Sequence, residues 1–182
     1  YRSQMWDCRN DSERILSECN YQMIATDMLA ATLTAHDRAD MLMDYLEALM
    51  ELFPECEAVY FHNSGKMFLA EQIREHKIQR EDRFIYFAVN ARFFNIQGSD
   101  SMIVDTLGMS TLFLPDLQYH FHGMDPNDIV THAYNMASYI FENENPIKNG
   151  DTIDSIENGK MNIEVQWKCH YEDALVQPAR QV

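Results

Sequence analysis

Positive charge is what this chain has least of: its 182 residues carry 14 Lys and Arg against 29 Asp and Glu, a formal net charge of −15. The field outside such a protein is negative over most of its surface and repels phosphate backbones and anionic lipid. Nucleic acid and membrane surfaces are therefore set aside as partners. A basic protein is the class of partner that this charge attracts, and solubility is its plainer use. No apolar run approaches the ~18 residues of a spanning helix. The four cysteines, Cys8, Cys19, Cys56 and Cys169, show no C-x-x-C spacing, which removes a thioredoxin-like redox pair and a zinc ribbon. The expectation is buried free thiols in a reducing compartment, hence a cytoplasmic protein, although spacing in sequence alone leaves a disulfide open.

The usual signatures of catalysis are also missing. There is no G-x-G-x-x-G, no Walker loop and no G-x-S-x-G, so nucleotide and acyl-enzyme chemistry lose their markers. Acidic pairs such as Glu81-Asp82 and Glu142-Asn143-Glu144 stand in polar runs. Nothing there would separate two carboxyl pKa values into acid and base roles. No catalytic residue and no cofactor is nominated, and the reading leans away from an enzyme.

What is present supports a folded domain. Apolar residues make up 46% and aromatic residues 12% of the chain, values that argue against extended disorder. Residues 1–20 are polar and read as an N-terminal extension. Because the chain opens on Tyr1 rather than Met, that extension is expected to be the end of a truncated preceding segment. Residues 21–182 read as a single α+β domain.

Local signals place its elements. Residues 21–28 look like a strand. Thr34 with Asp37 resembles a capping box, and Ala39, Leu42, Leu46, Leu49, Met50 and Phe53 follow at helical steps until Pro54. Residues 56–61 and 66–69 form a hairpin across Asn63-Ser64-Gly65, and residues 70–76 a brief helix. Residues 84–96 are a run of β-formers that reads as one central strand, and 102–111 as another, with Gly108 marking a bulge or a close approach. Pro115 starts a further strand, and Asp125-Pro126-Asn127-Asp128 opens a helix. Asn158-Gly159 joins residues 151–156 to 161–169, where Ile163, Val165, Trp167 and Cys169 alternate with polar residues and read as the core face. Residues 172–182 begin helix-like and meet Pro178. The fold class that follows is α+β: a mainly antiparallel sheet with two long helices packed on one face, a single-layer α/β sandwich.

One constellation could carry chemistry. His120 and His122 flank Phe121, so in a strand both imidazoles leave the same face about 7 Å apart, and Asp116 shares their parity. These three are the candidate metal ligands. A zinc or iron site needs three or four donors, and no H-x-x-x-H or H-E-x-x-H helix supplies more. His132 sits among Ile129, Ala133 and Met136 and reads as a buried histidine with a hydrogen-bond partner. The aromatic residues between Tyr86 and Phe94 lack the Lys and Arg of a nucleic-acid platform.

Four segments recur together: Ala58-Val59-Tyr60-Phe61 with Ser64-Gly65-Lys66, Thr106-Leu107-Gly108-Met109, Leu114-Pro115-Asp116-Leu117, and Asn149-Gly150-Asp151-Thr152. In this order and spacing, the chain resembles the family catalogued as domain of unknown function 4261. The resemblance implies a bacterial, cytoplasmic protein and brings no activity, cofactor or catalytic residue with it. Two functions are carried forward. The first is a non-enzymatic interaction or accessory domain that meets a partner through a sheet edge or an exposed face. The second is a metal-dependent, hydrolase-like enzyme using His120, His122 and a carboxylate such as Asp116. The oligomeric state is left open.

Overall fold

The computed structural model describes residues 5, 7–27, 30–178, 180 and 182, and it is α+β with antiparallel strands. The chain divides into two compact units, Tyr1–Asn90 and Ala91–Val182. Among the described residues, no helix is long and apolar enough to cross a membrane.

In the first unit a 3-10 turn leads into α1 (Ser12–Glu18), followed by α2 (Ala35–Leu52). Thr34 caps α2: its hydroxyl accepts from the Asp37 N–H at 3.1 Å and donates to the Asp37 carboxylate. The Arg74 guanidinium closes the other end of α2 by donating to the carbonyls of Met50, Phe53 and Cys56. Strands β1 (Ala58–Phe61) and β2 (Lys66–Leu69) pair from Ala58↔Leu69 to Phe61↔Lys66, and α3 (Ala70–Arg74) follows directly. Gly65 adopts φ +69°, which the tight turn between the strands requires.

Two expectations fail here. Residues 21–27 form no strand, with Tyr21 98% and Ile24 81% exposed, and Met28 lies outside the described residues. A β-former run needs a neighbour to pair with, and among the described residues this one has none. The run 84–96 is not one strand either, but α4 (Arg83–Ala88) followed by β3 (Asn90–Asn95). Phe84, Phe87 and Ala88 stand at helical spacing and are buried together, while Arg83 reaches Asp44 and Glu47 on α2. Tertiary burial and ion pairing outweigh strand propensity there.

In the second unit β3, β4 (Ser101–Leu107) and β5 (Gln118–His122) form a three-stranded sheet with β4 in the middle. The β4–β5 register runs from Ser101↔His122 to Asp105↔Gln118. Gly108 ends β4 at φ +132° and starts a 3-10 turn. Helix α5 (Pro126–Glu142) is capped by the Asp125 carboxylate, which accepts from the Asn127 N–H at 2.9 Å. Its buried face packs Ile129 and Ala133 against Val104, Phe121 and Ile156. Strands β6 (Thr152–Glu157) and β7 (Lys160–Lys168) form a separate ribbon, so among the described residues the strands fall in three antiparallel pieces. Among the described residues of 172–182, none is helical. Glu172 and Val182 exchange backbone hydrogen bonds and fold the segment back on itself.

Candidate functional site

The three residues proposed as metal ligands do not share one surface. His120 and His122 lie on β5, both exposed, with Phe121 buried between them. Asp116 precedes β5, which begins only at Gln118, so the parity argument does not apply to it. Its carboxylate is buried and accepts from the Thr106 hydroxyl at 3.1 Å and the Met109 N–H at 3.2 Å. Among the described residues, no group of three or more His, Cys, Asp and Glu is placed to hold a metal ion.

Asp116 belongs instead to a buried ionic network. Asp105, fully buried, accepts from Arg92 through both carboxylate oxygens and from Arg180 Nη2 at 2.6 Å. Arg180 also donates to the Thr106 carbonyl, and its Nε stands 3.3 Å from Asp116 Oδ2. That last contact is an ion pair without hydrogen-bond alignment, since neither atom has a hydrogen-bond partner. Burial pushes the Asp116 carboxyl up, while the Met109 N–H, Arg180 and Thr106 pull it down. Two carboxylates and two guanidiniums balance in charge, which is what burial demands. No local signal announces this pairing, because Asp105 and Arg180 are 75 positions apart. The Thr106–Met109 and Leu114–Leu117 segments lock together here, with the Leu117 N–H donating to the Thr106 hydroxyl at 2.8 Å.

A second polar cluster joins α5 to both sheets of this unit. His132, fully buried, contacts the Tyr119 hydroxyl through Nδ1 at 2.9 Å and the Asp154 carbonyl through Nε2 at 2.8 Å. A carbonyl only accepts, so Nε2 carries the proton and Nδ1 accepts from Tyr119. Burial holds the His132 pKa low and the Tyr119 pKa high, so both stay neutral. Trp167 packs on both rings. The cluster is satisfied and enclosed, and it serves to dock α5 and β6 together.

Exposure is concentrated on β7. Ile163 is 73% exposed and Val165 51%, which overturns their assignment to a core face, and Met161 before them is 49% exposed. The cause is a register break. Asp154 pairs with Gln166 and Ser155 with Asn162, so Ile163, Glu164 and Val165 have no partner on β6. Trp167, of the same parity, is half-buried against Tyr119 and His132. The thiols also differ from expectation: Cys8 is buried, Cys19 is exposed, and Cys56 and Cys169 are half-buried, all four free.

Residues 105–182 match the model of the family described as Domain of unknown function (DUF4261), the family that the four segments resemble. The matched stretch holds the Asp105–Asp116–Arg180 network, the His132 cluster and the β6–β7 ribbon, while the Ala58–Phe61 and Ser64–Lys66 segments lie outside it. No curated protein and no solved structure matches the chain.

Proposed function

We propose that this protein is a non-enzymatic interaction domain that meets a partner protein through the β6–β7 ribbon. The observation that carries the reading is the exposure of Met161, Ile163 and Val165, three apolar side chains standing in water on one strand. Exposed apolar surface of this kind is one of the marks of an interaction site. The ionisable clusters of the same unit support the reading by being buried, with Asp105 and His132 hydrogen-bonded to neighbours and Asp116 set against Arg180. Among the described residues, the metal-dependent alternative keeps His120 and His122 without a converging carboxylate. Four free thiols, one of them exposed, support a reducing, cytoplasmic setting.

The test is photo-crosslinking in the source cell with a reactive amino acid placed at position 163, run for the parent chain and for a Val165→Ser variant. A discrete crosslinked partner whose yield drops in the variant supports the reading. No crosslinked species beyond background removes it.

A further inference from the structure

We infer that Asp105, Asp116 and the Thr106 carbonyl form a receptor for a guanidinium group, filled here by Arg180 of the chain's own segment 172–182, and that an arginine of a partner peptide enters it when that segment lifts. The first reason is that the receptor is held in place without Arg180. Arg92 on β3 donates to both Asp105 oxygens, at 2.9 and 2.5 Å. Asp116 accepts from the Thr106 hydroxyl and the Met109 N–H, and the Thr106 N–H is fixed by the Leu117 carbonyl at 2.8 Å. The second reason is the shape of the acceptor set. Arg180 Nη2 donates to Asp105 Oδ2 at 2.6 Å and to the Thr106 carbonyl at 2.8 Å, while Nε faces Asp116 Oδ2 at 3.3 Å. Acceptors spread around two nitrogens of one plane suit the fork of a guanidinium, whereas a lysine ammonium is a single point of charge.

The third reason is how segment 172–182 is fastened. It closes on itself through the Glu172 and Val182 backbone bonds and through the Ala174 N–H, which donates to the Arg180 carbonyl at 2.8 Å. Side chains tie it to the sheet: Gln118 donates to the Glu172 carboxylate at 2.9 Å and accepts from the Leu175 N–H at 2.8 Å, and Arg92 Nη1 donates to the Gln177 carbonyl at 2.9 Å. Leu175 is exposed, and among the described residues Val182 is the segment's one buried apolar side chain. Lifting the segment therefore uncovers little apolar surface, as in other segments that open locally. Arg180 Nη1 donates to the Val176 and Pro178 carbonyls of the same segment, so the arginine leaves with its own strap. Two carboxylates then face Arg92 alone, and a partner's arginine restores the charge balance. The site stands apart from the β6–β7 ribbon and does not depend on it.

Two measurements on the full chain test this. Hydrogen exchange read by mass spectrometry should show the amides of 172–182 exchanging together, at least about a hundredfold faster than those of α5. In the second, the Arg180→Gly variant and the parent chain are melted with acetyl-arginine amide, with acetyl-lysine amide, each at about 20 mM, or with neither. The expected result is that only the arginine compound raises Tm, by about 3 °C, and only in the variant, since Arg180 fills the site in the parent. An equal rise with the lysine compound, an equal rise in the parent, or no rise at all overturns the inference, and so does a segment 172–182 as well protected as α5. If the variant does not fold unaided, its refolding yield with each compound is read in place of Tm: recovery with the arginine compound alone supports the inference, and any other pattern overturns it. Crosslinking at position 163 is blind to this site, so the ribbon reading and this inference fail separately.

Discussion

Lys66 offers the sharpest test of the energetics of the first unit. Its side chain is buried at the start of β2, where Nζ donates to the carbonyls of Tyr86 at 2.5 Å and Val89 at 3.0 Å, at the end of α4. The ammonium also stands 5.0 Å from the Phe68 ring centre. Burial nevertheless dominates and pushes its pKa from 10.5 down to about 8, with Asp7 partly opposing. Between these values the unfolded chain holds the proton and the folded chain has released it, so stability rises with pH across the window. The gap is worth about 3 kcal/mol at 1.36 kcal/mol per pH unit. Below pH 8 the folded state bears the cost of the buried charge.

Lys66→Met removes that cost together with two hydrogen bonds, whose orphaned carbonyls cost about 1–3 kcal/mol each. Near pH 7 the two effects largely cancel, and near pH 10.5 only the loss remains. Urea unfolding of parent and variant from pH 7 to 10.5 gives a difference curve in which thiol and tyrosine titrations common to both drop out. That difference should grow by about 3 kcal/mol against the variant. A flat difference curve would show that Lys66 keeps an ordinary pKa and that its burial is not felt.

Three other outcomes follow from the second unit. Arg180→Met leaves Asp105 paired with Arg92 and Asp116 buried without its guanidinium, so chemical denaturation should show a loss of about 3–5 kcal/mol, and Arg180→Lys should recover only part of it. His132 is held neutral by burial, so the unfolded chain binds more protons below the ordinary 6.5; stability should fall as pH drops through that region, and His132→Gln should flatten the acid limb of the unfolding curve. His120→Ala with His122→Ala, both exposed, should change stability by no more than about 0.5 kcal/mol, and elemental analysis of chelator-free protein should read the same metal content before and after; a stoichiometric metal lost in the variant would revive the metal-dependent reading.

The elements that could be read in advance are those whose signals are local. Thr34 with Asp37, Asp125 with Pro126, and the turn at Asn63-Ser64-Gly65 each satisfy or release backbone groups within a few residues, and the boundaries they set hold. Where the deciding contact is distant, sequence is silent. Arg83 reaching Asp44 and Glu47 helps turn the start of a run of β-formers into helix, and within that run only the spacing of Phe84, Phe87 and Ala88 hints at it. Asp116 shares parity with His120 on paper, but Thr106 and Arg180 claim its carboxylate and the strand starts after it.

The ribbon shows a subtler limit. Alternation along β7 states which side chains share a face, and that is all it states. Trp167, Val165, Ile163 and Met161 share parity, but the pairing shifts by three residues between Asp154 and Ser155, so alternation does not carry one face across the break. Trp167 is covered by Tyr119 and His132, whereas Val165, Ile163 and Met161 stand exposed. Burying two large aliphatic side chains is worth about 1.5–3 kcal/mol each, so a chain that leaves them in water forgoes stability that a polar pair would not. The His132 hydrogen bond to the Asp154 carbonyl anchors the ribbon just where its register breaks, fixing one end and leaving the other presented.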